Sequence, residues 1–124
     1  MTATNPPPPA PDLDALRARL RLFAQARDWD QFHSPKNLAM ALIAEAAELV
    51  EHFQWLSEAQ SAALPPEKKA AVSAELADVL IYLVRLADKL DVDLVAAAAA
   101  KMDRNEAKYP ARLVKGSARK YTEY

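Results

Sequence analysis

A chain of 124 residues is the size of one ordinary domain, which excludes an enzyme built from two large ones. Sixteen basic against 17 acidic residues leave a net charge of -1, a poor footing for gripping a nucleic-acid backbone. The absence of cysteine excludes disulfides, zinc-thiolate sites, iron-sulfur clusters and thiol nucleophiles. No apolar run approaches the roughly 20 residues of a membrane span, and the N-terminal stretch has neither a charged nor an apolar segment of the signal-peptide kind. A cytoplasmic protein is therefore expected. With 27 alanines against a single glycine, an all-α fold is expected, because a sheet protein would lack residues for its turns.

Residues 1–11 hold five of the nine prolines and almost no bulky apolar side chain, so they read as a disordered proline-rich tail. Asp12 is placed to cap a first helix, whose Leu13, Leu16, Leu20 and Phe23 recur at three- and four-residue steps to about Arg27. The pattern breaks over Asp28 to Ser34. Ser34-Pro35 combines an N-cap with proline at the first helical position and opens a second helix to about Ser57. A loop is expected from there to Pro66. Pro65-Pro66 starts a third helix, carried by Val72, Leu76, Val79, Leu80 and Leu83 to about Leu90. Asp91 or Asp93 can cap a fourth, alanine-rich helix to about Lys108, and Pro110 stops it. These helices predict a four-helix bundle-like domain over residues 12–110, with 111–124 as a basic C-terminal tail.

At about 100° per residue, Leu38, Leu42, Leu49 and Leu56 of the second helix fall within about 40° of one another, and Glu45 lies on the same stripe, about 20° past the edge of that arc. Glu48 stands about 60° farther round, whereas Glu51 points away. A carboxylate on a buried stripe needs a cation or a hydrogen-bonding network to meet it. The third helix repeats the arrangement with Glu75 at the edge of its apolar arc, Asp78 one turn along on the polar side and Tyr82 continuing that edge. Two antiparallel helices would bring Glu45, Glu48, Glu75 and Asp78 together. Four oxygen donors without sulfur or clustered histidine fit a hard ion, Mg²⁺ first with Mn²⁺ as a substitute. A ferritin-like di-iron centre needs Glu-x-x-His pairs, which this chain lacks. Trp55 lies seven residues after Glu48, where an indole can pack in the core or stack on a base.

Glu45-x-x-Glu48 followed by Glu75-x-x-Asp78 resembles the signature of the MazG-like all-α nucleoside triphosphate pyrophosphohydrolases. Further segments narrow the likeness to the dCTP pyrophosphatase branch: Arg27-Asp28-Trp29-Asp30-Gln31-Phe32-His33, Phe53-Gln54-Trp55, Asp78 to Leu83, Lys101-Met102-Asp103-Arg104-Asn105 with Tyr109-Pro110, and Ser117 to Thr122. The resemblance runs from about Leu13 to Glu123. It implies cleavage between the α and β phosphates, with Glu45, Glu48, Glu75 and Asp78 as metal ligands and Glu45 or Glu48 activating water. It also implies Trp29 and Trp55 walling the pyrimidine, with Tyr82, Lys101 and Asn105 facing the substrate. His33 and Lys36 are further substrate candidates. One position departs from the branch: Leu20 stands where relatives can carry a histidine near the base, so modified and other pyrimidine deoxynucleotides remain candidate substrates.

The third helix is apolar nearly all round from Val79 to Val84, which one four-helix bundle would leave partly wet. A homo-oligomer is expected, and the resemblance extends it to a tetramer built as a dimer of dimers. Two other readings stand beside the dCTP hydrolase: a MazG-like hydrolase with broader specificity or another preferred base, and a non-enzymatic helical interaction module.

Overall fold

The computed structural model describes residues 5–7 and 11–123. Every regular element among them is helical, so the all-α expectation holds. Most of the proline-rich segment, residues 1–4 and 8–10, lies outside the described residues. The chain forms two compact units, Met1–Leu90 and Asp91–Tyr124.

In the first unit, α1 spans Leu13–Ala26, and Asp12 caps it by accepting the Ala15 N–H at 2.8 Å. Its end is a Schellman motif. The Trp29 N–H reaches back to the Ala24 carbonyl at 2.9 Å, and the Asp28 N–H reaches Gln25 at 3.1 Å. That motif needs a left-handed residue where glycine is usual, and Asp28, at φ 53°, supplies it. Trp29 is thereby fixed at the exit of α1, ahead of a 3-10 turn at Asp30–Phe32.

Helix α2, Pro35–Glu51, starts as expected, with Ser34 Oγ accepting the Asn37 N–H at 3.1 Å. It stops six residues short of the expected end. From His52 the backbone tightens into three-residue turns, and Ser57 then begins a separate short helix, α3 (Glu58–Ser61), inside the expected loop. A capping box closes that start. Ser57 Oγ accepts from the Gln60 N–H at 3.1 Å, and Gln60 Oε1 accepts from the Ser57 N–H at 2.9 Å.

Helix α4, Pro66–Lys89, is the longest element and the packing centre of this unit. Helix α2 lies along it most extensively, and α1 also packs on it. The core is thin, built on Ala24, Leu38, Val72, Val84 and Ala87. In the second unit α5, Leu94–Lys108, is capped by Asp93, whose side chain accepts the Ala96 N–H at 3.0 Å. Tyr109 closes α5, Pro110 stands at the N-cap of α6 (Ala111–Val114), and α6 and a 3-10 turn at Tyr121–Glu123 occupy part of the basic C-terminal segment. No helix among the described residues is long and apolar enough to cross a membrane.

Leu38 is the largest fully buried side chain, only 1% exposed. Truncating it leaves a cavity in the core, so Leu38→Ala is expected to cost about 3 kcal/mol. A lower urea midpoint by circular dichroism, with an unchanged slope, is the result that checks it.

Candidate active site

The i,i+3 spacing on α2 stacks Glu45 and Glu48 on adjacent turns, and the packing of α2 against α4 brings Glu75 to meet them. Carboxylate oxygens of the three residues lie within 4.8 Å of one another. Asp78 stands outside that close group, one turn along α4, half-buried. Its negative charge still bears on Glu45.

Glu45 Oε2 and Glu75 Oε2 are buried and have no hydrogen-bond partner. Buried carboxylate oxygens without donors are rare because each has lost its water without replacement. A cation satisfies both at once, and an all-oxygen donor set suits a hard divalent ion. The cluster therefore fits a metal centre by its own chemistry. Burial pushes the Glu45 carboxyl up to about 7, helped by the carboxyl groups of Glu75 and Glu48 beside it and by the charges of Glu48 and Asp78.

Beyond Asp78 the same face of α4 carries Tyr82 and Arg85, which help to wall a cavity of about 400 Å³. Trp29 and His33 close it from the turn after α1, and Leu20 and Phe23 close it from α1 itself. Phe23 and Trp29 meet edge to face, their centroids 5.6 Å apart at 71°, while the Arg27 guanidinium lies 3.6 Å from the Phe23 ring centre. The cavity is thus aromatic and apolar with a few polar groups, as ligand sites commonly are. Glu75, Asp78, Tyr82 and Arg85 follow one another at three- and four-residue steps over about 15 Å of helix. One stripe of α4 joins the acids to the cavity.

Other sequence-predicted residues are spread more widely. Lys36 sits exposed in the first turn of α2. Lys101, exposed, and Asn105, half-buried, lie one turn apart on α5 in the second unit. Because α2 ends at Glu51, Trp55 does not continue the face of Glu48. It stands in the following turn, 87% exposed, and takes no part in the core. Leu20, Phe23 and Arg85 were not singled out as site residues by their motifs, except that Leu20 marked a departure. The one signal for Arg85 is a lone charge inside the apolar run Leu80 to Leu86.

The MazG-like family model matches residues 41–124, the span that contains all four acids. The chain belongs to the MazG-like family. It is 50% identical over 117 residues to dCTP pyrophosphatase 1 of Mus musculus, covering 93% of this chain and 69% of that protein. The human protein of the same name is 48% identical over 117 residues, with the same coverage of 93% and 69%. Among solved structures, a pyrophosphatase from Archaeoglobus fulgidus superposes with a TM-score of 0.75 at 41% identity, over 79% of this chain and 92% of that one. In this MazG-like chain the α2 and α4 acids all lie within the matched span.

The raised Glu45 carboxyl has a signed consequence. From its ordinary 4.5 up to about 7, the folded chain holds a proton that the unfolded chain has released, so metal-free stability falls as pH rises through that window. A divalent cation replaces the proton. Calorimetry in buffers of different ionisation enthalpy is expected to show proton release on Mg²⁺ binding at about pH 6, fading above about pH 8, with a larger gain in Tm from Mg²⁺ at the higher pH.

Proposed function

We propose that this chain is a Mg²⁺-dependent nucleoside triphosphate pyrophosphohydrolase that converts dCTP and water to dCMP and pyrophosphate. The observation that carries the reading is the α4 stripe, with acids at one end and an aromatic cavity at the other. A triphosphate and a base need those two environments at opposite ends of one ligand. The 50% identity to a protein named dCTP pyrophosphatase 1 supports the choice of base.

In this reading the pyrimidine enters the cavity between Trp29 and Tyr82, beside His33. Glu45, Glu48, Glu75 and Asp78 hold the Mg²⁺, with Mn²⁺ as a substitute. When bound, the ion offsets the charge of the triphosphate and polarises the phosphorus under attack. Glu45 or Glu48 accepts a proton from the attacking water. The new bond forms to the α-phosphorus, the bond to the α–β bridging oxygen breaks, and pyrophosphate leaves. Lys36 and Lys101 are assigned to the phosphates, and Asn105 and Trp55 to the nucleoside. Leu20 gives one cavity wall no hydrogen bond to the base, so 5-modified cytosines and other pyrimidine deoxynucleotides stay within reach. An enzyme of this kind acts where the nucleotide pool is, in the cytoplasm.

Assembly belongs to the same reading. Met40, Ile43 and Val50 form a stripe on α2 opposite the face that carries Leu38, and all three are largely exposed in the single chain. Leu76 and Leu80 on α4 are exposed as well. Apolar stripes of this kind mark partner surfaces. A homo-oligomer, a tetramer built as a dimer of dimers, covers them, and the exposed Trp55 is then available to a neighbouring subunit's pocket.

Pyrophosphate release from a panel of nucleotides tests the reading. The expected result is preference for dCTP and its 5-modified forms over purine nucleotides, with inorganic triphosphate a poor substrate. Glu48→Gln and Asp78→Asn keep side-chain size but remove a ligand charge, so turnover is expected to fall by about 100-fold or more with helical content unchanged. Undiminished turnover in excess chelator would sink the metal mechanism.

A further inference from the structure

We propose that Arg85 is a positioning residue for the base pocket, fixing His33 as the neutral tautomer that carries its proton on Nε2. The proposal rests on the reading of the cavity as the base site. Arg85 is 4% exposed, the one buried charged residue among those described. Its Nε donates to His33 Nδ1 at 3.3 Å, and its Nη2 lies 3.1 Å from the same nitrogen. Nη2 also donates to Asp30 Oδ1 at 2.9 Å. A guanidinium offers donors only, so the ring nitrogen that it faces must be an acceptor and bear no proton. A neutral imidazole with an unprotonated Nδ1 carries its hydrogen on Nε2. An imidazolium would set N–H against N–H.

The surroundings of His33 favour the uncharged ring. Arg85 and Lys89 from α4 face it with positive charge, Asp30 from its own turn with negative charge, and burial followed by Arg85 holds its pKa below the ordinary 6.5. Lys89 bridges to the same Asp30 oxygen at 2.6 Å. On its far side Arg85 approaches Asp88 at 3.7 Å, and Asp88 in turn pairs with Arg21 of α1. The guanidinium is therefore anchored on both sides and cannot swing away from the ring. Burying such a charge is a poor source of net stability, because desolvation offsets the pairing. Its place in the wall of the cavity, beside the ring that it orients, is the better account of it.

A fixed, uncharged Nε2–H is a donor for an acceptor edge on the base. Cytosine presents acceptors at O2 and at N3, whereas thymine and uracil interrupt that edge with an N3–H donor. Arg85 thus favours cytosine through His33 without touching the reacting phosphates.

Long-range proton–nitrogen correlation spectra of the full ¹⁵N-labelled chain read the tautomer directly. With only two histidines in the sequence, His52→Asn assigns the remaining ring. The wild type is expected to show a protonated Nε2 and a bare Nδ1 from about pH 8 to below the ordinary histidine range. A proton on Nδ1, or averaging between the two nitrogens, overturns the proposal with no variant needed. In Arg85→Lys the tautomers should mix, and KM for dCTP should rise about tenfold with kcat within about twofold and the preference over dTTP reduced. An equal loss on dCTP and dTTP, or a fall in kcat alone, would make Arg85 merely structural and overturn the specificity role. Should the wild type hydrolyse neither nucleotide, the functional reading fails while the spectrum still decides the tautomer.

Discussion

Glu45 and Glu75 reach toward each other from α2 and α4, each with a carboxylate oxygen that has lost water and found no donor. The packing of these two helices is the main tertiary contact of the first unit, and it runs straight through that electrostatic liability. A chain selected for stability alone would place apolar side chains there, as it does at neighbouring Leu38. At that end of the stripe, however, an apolar pair would leave nothing to hold the cation that, in the proposed reading, offsets the charge of a phosphate-bearing ligand. The proton held by Glu45 is the temporary remedy of the metal-free chain, since a neutral carboxyl lessens the repulsion among the acids. Cation and proton compete for one place, which couples the stability of the helix pair to the state of the site.

The cavity depends on a different device. Its aromatic wall hangs on the eight residues between α1 and α2, a segment too short for a core of its own. Backbone geometry fixes its start, through the Schellman motif and the left-handed Asp28 that aim Trp29. Ionic contacts fix its middle, because Asp30 is tied to both Arg85 and Lys89 of α4. Its end is held by Asn37, whose side-chain amide donates to the Phe32 carbonyl at 3.0 Å. Helix α4 is therefore common to the acids and to the cavity, and their separation is set by helical rise rather than by loop conformation. Such a site is preorganised along its length.

How much of this could be read beforehand follows from what local sequence encodes. Caps at Asp12 and Ser34 fixed two helix starts and narrowed a third to Asp91 or Asp93, of which Asp93 is the cap, because each needs only a side-chain oxygen three residues ahead of a free N–H. The acids were legible because helical period alone places Glu45 on the buried arc. The end of α2 was not. Apolar residues continue through Phe53 and Leu56, and only the Ser57-x-x-Gln60 capping box marks where a new helix begins. The displaced Trp55 follows from that one boundary. Arg85 was hidden for another reason: its role arises from Asp30 and His33, more than fifty residues away, and no local pattern encodes that distance.

A last constraint links site and size. The first unit keeps very few side chains fully buried, and it spends helix surface that could have been apolar on acids, a guanidinium and an open cavity. Meanwhile Met40, Ile43 and Val50 lie in water on the far face of α2. Those two facts belong together. A small chain whose inner helix faces are committed to chemistry has little apolar area left to bury against itself, and the surplus on its outer faces is what a second copy can cover. In the proposed assembly the stability that the acids cost the helix pair is recovered at the opposite face of the same helix. Subunit contact and metal site would then share α2 as a common element, each bearing on how firmly Glu45 and Glu48 are held.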